Sequence, residues 1–75
     1  MAKKSTLPLK VAKSFRKKRE ALKMSQEAFA DELGVHRTYY GAVERGMKDI
    51  RLSTLERICK ALGVRMSEIF KDIEG

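Results

Sequence analysis

The chain has little of what chemical centres are made from. It holds one cysteine, Cys59, one histidine, His36, and no tryptophan. A lone cysteine excludes an internal disulfide and suits a reducing, cytoplasmic setting rather than a secreted scaffold. One His and one Cys cannot build a tetrahedral zinc site, so no metal is expected. No Gly-rich phosphate loop is present, and no nucleophile is paired with a base, so neither enzymatic activity nor a cofactor is expected. The acids Glu27, Asp31 and Glu32 have the spacing of a solvated helix face. No run approaches the roughly 20 apolar residues of a membrane span. The first residues, MAKKSTLPLK, carry charge with no apolar run behind it, unlike a signal peptide. The only proline, Pro8, lies near the start, and sustained strand alternation is missing. What remains is an all-α chain.

Charge is what the chain has in excess. Its 75 residues carry a net +7, unevenly placed. Met1 to Lys23 hold +8, Met24 to Val35 hold −3, His36 to Leu52 hold +2, and Ser53 to Gly75 balance. This distribution points to a polyanion, although a solvated lysine-rich helix has the same composition. Single-stranded RNA is the poorer fit, because stacked aromatics are lacking. The chain makes one domain at most, and a chain this short buries only roughly 60% of its unfolded surface. Stability must come from helix packing, helped or not by a partner subunit.

Apolar spacing and punctuation mark five helices. Pro8 suits a first helical turn, with Thr6 as its cap. From Leu9 to Leu22, the residues Val11, Ala12, Phe15 and Leu22 share one face. Ser25 caps a second helix with Phe29, Ala30 and Leu33 inward, and Gly34 ends it. His36 to Arg45 form a third, closed by Gly46, with Tyr40 and Val43 inward. Met47 to Leu52 is a loop. Ser53 and Glu56 match a capping box for a fourth helix, the alternative being a start a residue or two earlier; its apolar face is Leu55, Ile58, Cys59 and Leu62 and its end is Gly63. A short fifth helix covers about Met66 to Lys71. The tails 1–5 and 72–75 are expected to be mobile.

Two short helices joined by a tight glycine turn are the signature of a helix-turn-helix, here about 26–45. Ala30 falls where the two helices cross, and Gly34 falls in the turn. An ordinary helix hairpin shares this spacing, so the wider sequence matters. The run MSQEAFADELGVHRTYYGAVERG, followed by LSTLERICKALGV and SEIF, resembles the lambda-repressor/Cro-like (XRE) helix-turn-helix family from about Val11 to Phe70. Within it, HRTYYGAVERGMKDIRLSTLERI is most similar to the controller proteins of restriction–modification systems.

The resemblance implies a compact five-helix bundle, a regulator of transcription, and a role for each matched position. Gln26 matches a residue that bonds a DNA phosphate and braces the recognition helix. Arg37, Thr38, Gly41 and Ala42 match groove-facing positions, with Tyr39 beside them. Arg19 and Glu44 match a partly buried salt bridge. Chemistry adds its own reasons. Arg37 stands at the end of the recognition helix that enters the major groove. Its guanidinium can fork onto one guanine, worth about 1–3 kcal/mol of discrimination; a phosphate contact is the alternative. Thr38 can serve a base or a phosphate, and Ala42 offers apolar contact only. Gly41 either lets DNA approach closely or is a tolerated surface glycine. Arg45, Lys48 and Arg51 suit the phosphate backbone, and Lys3 and Lys4 read as a disordered tail or a basic arm. His36 stands where Ser or Thr usually caps this helix and is the poorer cap. Tyr40 replaces the usual Ile or Val, so its phenol needs a partner or an edge to solvent. Lys23 replaces a common glycine, and Lys18 a common leucine.

The expected partners are double-stranded DNA and a second copy of the chain, with RNA polymerase a further candidate. No membrane and no small-molecule ligand are expected. Leu52, Val64, Met66, Ile69 and Phe70 are the candidate dimer interface, with Ile69 or Phe70 serving the monomer core instead. An antitoxin-type or phage Cro-like repressor that also binds a partner protein is the competing function.

Overall fold

The computed structural model describes residues 5–74, which form five α-helices. Lys3 and Lys4 lie outside the described residues. Helix α1 runs Leu7–Ala21, α2 Gln26–Leu33, α3 Arg37–Glu44, α4 Leu52–Leu62 and α5 Met66–Glu74. Helices of eight residues, as α2 and α3 are, form too few hydrogen bonds to persist alone. Their shape comes from caps and from burial.

The caps are specific. The Ser25 hydroxyl accepts the Ala28 N–H at 3.0 Å. The His36 Nδ1 accepts the Thr38 N–H at 3.0 Å, so the imidazole caps α3. Thr6 holds the cap position of α1 without a side-chain bond, and the hydroxyl of Ser5 accepts the Leu7 N–H instead. The capping box expected at Ser53 and Glu56 does not form. The Leu55 N–H already bonds the Arg51 carbonyl at 3.0 Å, which makes Arg51 the cap and places Ser53 inside the first turn.

Helices α1 to α4 end alike. One or two residues past each helix end, a residue bonds back to a carbonyl three residues earlier, and the next residue bonds one five earlier. Gly34 to Asp31 and Val35 to Ala30, both at 3.0 Å, are one such pair. This closure needs a left-handed backbone at its first residue. Gly34, Gly46 and Gly63 supply it, but α1 uses Lys23 at φ 60°. Gly46 is doubly required, because a Cβ there would stand 2.7 Å from the Leu9 Cα. The end of α3 therefore rests on the backbone of α1.

All five helices contribute to one core. Phe15 and Ala12 come from α1, Phe29, Ala30 and Leu33 from α2, Tyr40 and Val43 from α3, the four apolar residues Leu55, Ile58, Cys59 and Leu62 from α4, and Ile69 from α5. The Phe29 and Tyr40 rings pack tilted, centroids 5.1 Å apart, and join the two helices of the motif. Burial pushes the Cys59 thiol pKa up, so the sulfur stays protonated within the core.

Helix α5 is longer than expected. It continues to Glu74, and residues 72 to 74 are helical rather than a mobile tail. Asp72 explains this. Its carboxylate accepts the buried Ser14 hydroxyl at 2.7 Å and the Lys18 ammonium at 2.9 Å, both from α1. Lys18, which stands in place of a common leucine, thus ties down α5, and Ile73 packs against the core.

Two predictions follow from this geometry. In thermal or urea unfolding, Gly34→Ala is expected to cost about 1 kcal/mol, the left-handed strain alone. Gly46→Ala adds the collision with Leu9 and is expected to cost more than about 2 kcal/mol, whereas Lys23→Gly stabilises by about 0.5–1 kcal/mol. Equal costs at Gly34 and Gly46 would count against the close approach of α3 to α1. The Asp72 carboxyl is held below its ordinary 3.8, first by Ser14 and then by Lys18. A depressed folded pKa gives stability that is present above the unfolded value and lost as pH falls through the folded one. Asp72→Asn should therefore flatten the loss of stability below pH 3.8, read by urea unfolding across that limb.

Candidate nucleic-acid interface

The interface is organised from the inside of α3 outward. On the inner face, the Glu44 carboxylate accepts two bonds from Arg19 of α1, Nε to Oε2 at 2.6 Å and Nη2 to Oε1 at 2.9 Å. The side chains are 9% and 1% exposed, so the pair is buried and its attraction little screened. The third guanidinium nitrogen, Nη1, donates to the Met24 carbonyl in the turn between α1 and α2. Gln26, the first residue of α2, donates its Nε2 to Glu44 Oε1 at 3.1 Å. One carboxylate therefore ties α3 to α1 directly and to the start of α2. Burial pushes the Glu44 pKa up, but Arg19, the Tyr40 hydroxyl beside it and Gln26 outweigh that and leave it below its ordinary value. Bonding to Glu44 in turn raises the Arg19 pKa.

Tyr40 meets neither of the conditions expected of a buried phenol. It is 0% exposed, and its hydroxyl stands close to Glu44 and Arg19 without a well-formed hydrogen bond to either. Burial, with the Glu44 carboxylate adding to it, raises the phenol well above its usual range. Leaving such a group unpaired costs about 1–3 kcal/mol.

The outer face of α3 is free. Arg37 and Thr38 are exposed in its first turn. Arg37 Nη1 lies 3.4 Å from Glu27 Oε2 of α2, with side chains 66% and 67% exposed. An ion pair that open is worth under about 1 kcal/mol, so it holds Arg37 only lightly. Tyr39 is half-buried with its ring against the core, and Ala42 is half-buried. Arg45, Lys48 and Arg51 are exposed at the end of α3 and along the loop to α4.

Gly41 differs from both expectations. It is buried, not open to a groove. A Cβ there would lie 3.3 Å from Arg45 Nη1 and 3.5 Å from Gln26 Oε1. The missing side chain gives those two residues a place to lie across the helix. Sequence reasoning also missed Arg57, whose guanidinium donates to the Leu33 carbonyl at the end of α2. No local signal marks that bond, because its partners are 24 residues apart.

The candidate dimer residues separate. Ile69 is fully buried in the monomer core and has no surface left for a partner. Val64 is half-buried against the same core. Leu52 is 77% exposed, with Phe70 at 43% and Met66 at 39%. Leu52 and Phe70 line an apolar groove with Val11 of the α1 apolar face and with Leu7 and Ile50, two residues that the helical pattern did not single out. Among the described residues no cluster of His, Cys, Asp or Glu could hold a metal, and no helix is long and apolar enough to cross a membrane.

Two short helices closed at Gly34, with the second helix exposed along its first turn, define a helix-turn-helix of the kind that sets its second helix against duplex DNA. The HTH_3 helix-turn-helix family model matches residues 15–69, and the chain belongs to that family. It is a sequence-specific DNA-binding regulator of transcription. It is 42% identical over 57 residues to the control protein C.MunI of a Mycoplasma species, covering 76% of this chain and 77% of that one. The hypothetical transcription factor NHTF from Neisseria is 38% identical with a TM-score of 0.79, over 84% of this chain and 71% of that one. The restriction–modification controller protein C.Esp1396I, solved as a tetramer on its natural 35 base-pair operator, is 30% identical with a TM-score of 0.82, over 96% of this chain and all of that one.

The buried pair makes a direct prediction. Arg19→Met strands the Glu44 carboxylate in the interior and is expected to cost about 3–5 kcal/mol. That approaches the whole stability of a small domain, so chemical denaturation should show a partly unfolded protein at 37 °C. Adding Glu44→Leu should recover most of the loss, since an apolar pair of similar volume is often neutral. A cost below about 1 kcal/mol for the single change would mean that the pair does not organise α3.

Proposed function

We propose that this chain is a controller-type regulator that binds a near-palindromic operator in duplex DNA as a homodimer, with one α3 in the major groove of each half-site. The observation that carries this is the first turn of α3, where Arg37 and Thr38 are exposed while the inner face of the helix is held by Arg19 and Glu44. Arg37 and Thr38 contact base edges, with Tyr39 and Ala42 contributing edge and apolar contacts. Gln26, Arg45, Lys48 and Arg51 contact phosphates and set the register. The two copies meet through the apolar groove and its rim, with Leu52, Met66 and Phe70 in the contact.

The likeness to control proteins supports the regulator type. A cytoplasmic setting goes with it, as does control of the protein's own promoter. The position of the operator relative to RNA polymerase decides the sign of regulation. A dimer beside the polymerase activates, and one across the promoter represses.

The test is selection of bound duplexes from a random pool near physiological salt with excess competitor DNA. The expected product is a two-fold symmetric motif with half-sites about one helical turn apart. Salt-sensitive binding without any motif would overturn sequence-specific recognition by this chain alone. Arg37→Ala should relax one position per half-site, a loss of about 1–3 kcal/mol there, and leave weak nonspecific binding intact. Equal weakening on every sequence would move Arg37 to the phosphate contacts.

A further inference from the structure

Gly41 is the one glycine of the described chain that its backbone does not call for. Gly34, Gly46 and Gly63 have a left-handed backbone, whereas Gly41 lies inside α3. A glycine within a helix is less favourable than any residue but proline. Close approach of DNA does not explain it in the free protein, because side chains already cover the position. What the missing Cβ leaves room for is the tip of Arg45. That residue stands one turn on, and a helical side chain leans back over the residue four earlier. Arg45 Nη1 lies 3.3 Å from the point a Cβ would occupy, and Gln26 Oε1 lies 3.5 Å from the same point. The Gln26 amide is oriented by its Nε2, which donates to Glu44 at 3.1 Å. Its oxygen is therefore the atom that shares the space over Gly41 with the guanidinium. An amide oxygen accepts and a guanidinium only donates, so the two attract. Arg45 makes no ion pair among the described residues, and its charge is not spent within the chain.

We infer that Gly41 is a positioning residue whose missing side chain lets Arg45 fold back along α3 beside Gln26, placing its guanidinium for a DNA phosphate. The inference rests on Arg45 being a phosphate ligand, as proposed above. An arginine that moves freely in solution loses that freedom when it binds, and one already ordered has less to lose. Alanine at 41 would put a methyl group where the guanidinium tip now lies. The tip is the far end of a flexible side chain, so it would swing outward at little cost to the helix. The fold would be kept and the placement lost. Gly41 thus weakens its own helix and orders a ligand on the surface, without itself touching DNA.

The test uses the full chain and two duplexes, the one recovered by the selection and an unrelated one. Gly41→Ala should leave the melting temperature of the free protein unchanged or raised, yet weaken binding to both duplexes about two- to tenfold. Arg45→Ala should also weaken both and lower the slope of the salt dependence by about one. Added to Arg45→Ala, Gly41→Ala should cost nothing further. In the free protein, nuclear relaxation of the Arg45 Nε–H should report an ordered side chain, and Gly41→Ala should make it mobile on the picosecond-to-nanosecond scale. A Gly41→Ala variant that binds as tightly as the unaltered chain, or an Arg45 equally mobile in both, overturns the inference. A lowered melting temperature makes Gly41 a packing requirement of the fold and overturns it too. So does a Gly41→Ala cost that persists beside Arg45→Ala, which would mean that DNA itself comes up against Gly41. If Arg45→Ala binds and responds to salt as the unaltered chain does, Arg45 is no phosphate ligand, and that assignment falls together with the inference.

Discussion

The guanidinium of Arg19 sits where three segments of the chain meet, and the carboxylate of Glu44 completes it. Its five N–H donors reach the end of α3 twice and the carbonyl of Met24 once. A hydrophobic contact at this point could slide or rotate, but a bidentate pair admits one orientation. Removing either charge leaves the other stranded in a poorly solvated site. The pose of α3 against α1 and α2 is therefore specified by directional bonds, with the Phe29–Tyr40 packing filling the space around them. Gly46 adds the steric half of the same constraint by bringing the last turn of α3 onto the backbone of α1.

That arrangement divides α3 cleanly. One face is buried and held from within, while Arg37 and Thr38 remain exposed and lightly tethered. A recognition surface needs both conditions. Side chains that read base edges must be free to meet them, and the helix that carries them must not move when they do. Basic residues at the end of α3 and on the following loop continue the surface beyond the helix. Much of the positive charge lies elsewhere, on the outer side of α1, where Lys10, Lys13 and Lys17 are solvated. Net charge alone points to a helix other than the α3 of the proposed reading.

The opposite side of the molecule follows a similar rule. Ser14 and Lys18 hold Asp72, so α5 stays helical to its end and lies along α1. With Ile69 committed to the core, Phe70 one residue on is left facing outward beside Leu52 and Leu7. Successive helical residues point about 100° apart, so burying one exposes its neighbour. The apolar groove is a consequence of how α5 is fastened.

Much of the fold was legible in the chain itself. Helix periodicity, Ser25 as a cap and three glycines at helix ends are local properties, decided by neighbours within a turn or two. Residues Phe15, Phe29, Ala30, Tyr40 and Val43 could be placed inward from spacing alone. What local pattern could not settle were matters of long-range partnership. Gly41 is covered because Gln26, fifteen residues earlier, lies across it. The last turn of α5 is ordered because Asp72 reaches Ser14, and α2 is closed at its end by Arg57. The choice between Ile69 and Phe70 depended on where α1 and α4 stand. By itself the sequence determined five helices, the glycine ends of three of them and most of their inward faces, because those depend on backbone torsion and apolar spacing within a few residues. Only the tertiary structure decided which polar groups meet, which one is left without a partner, and which apolar side chains remain outside, because those depend on distances between segments that the chain order does not contain.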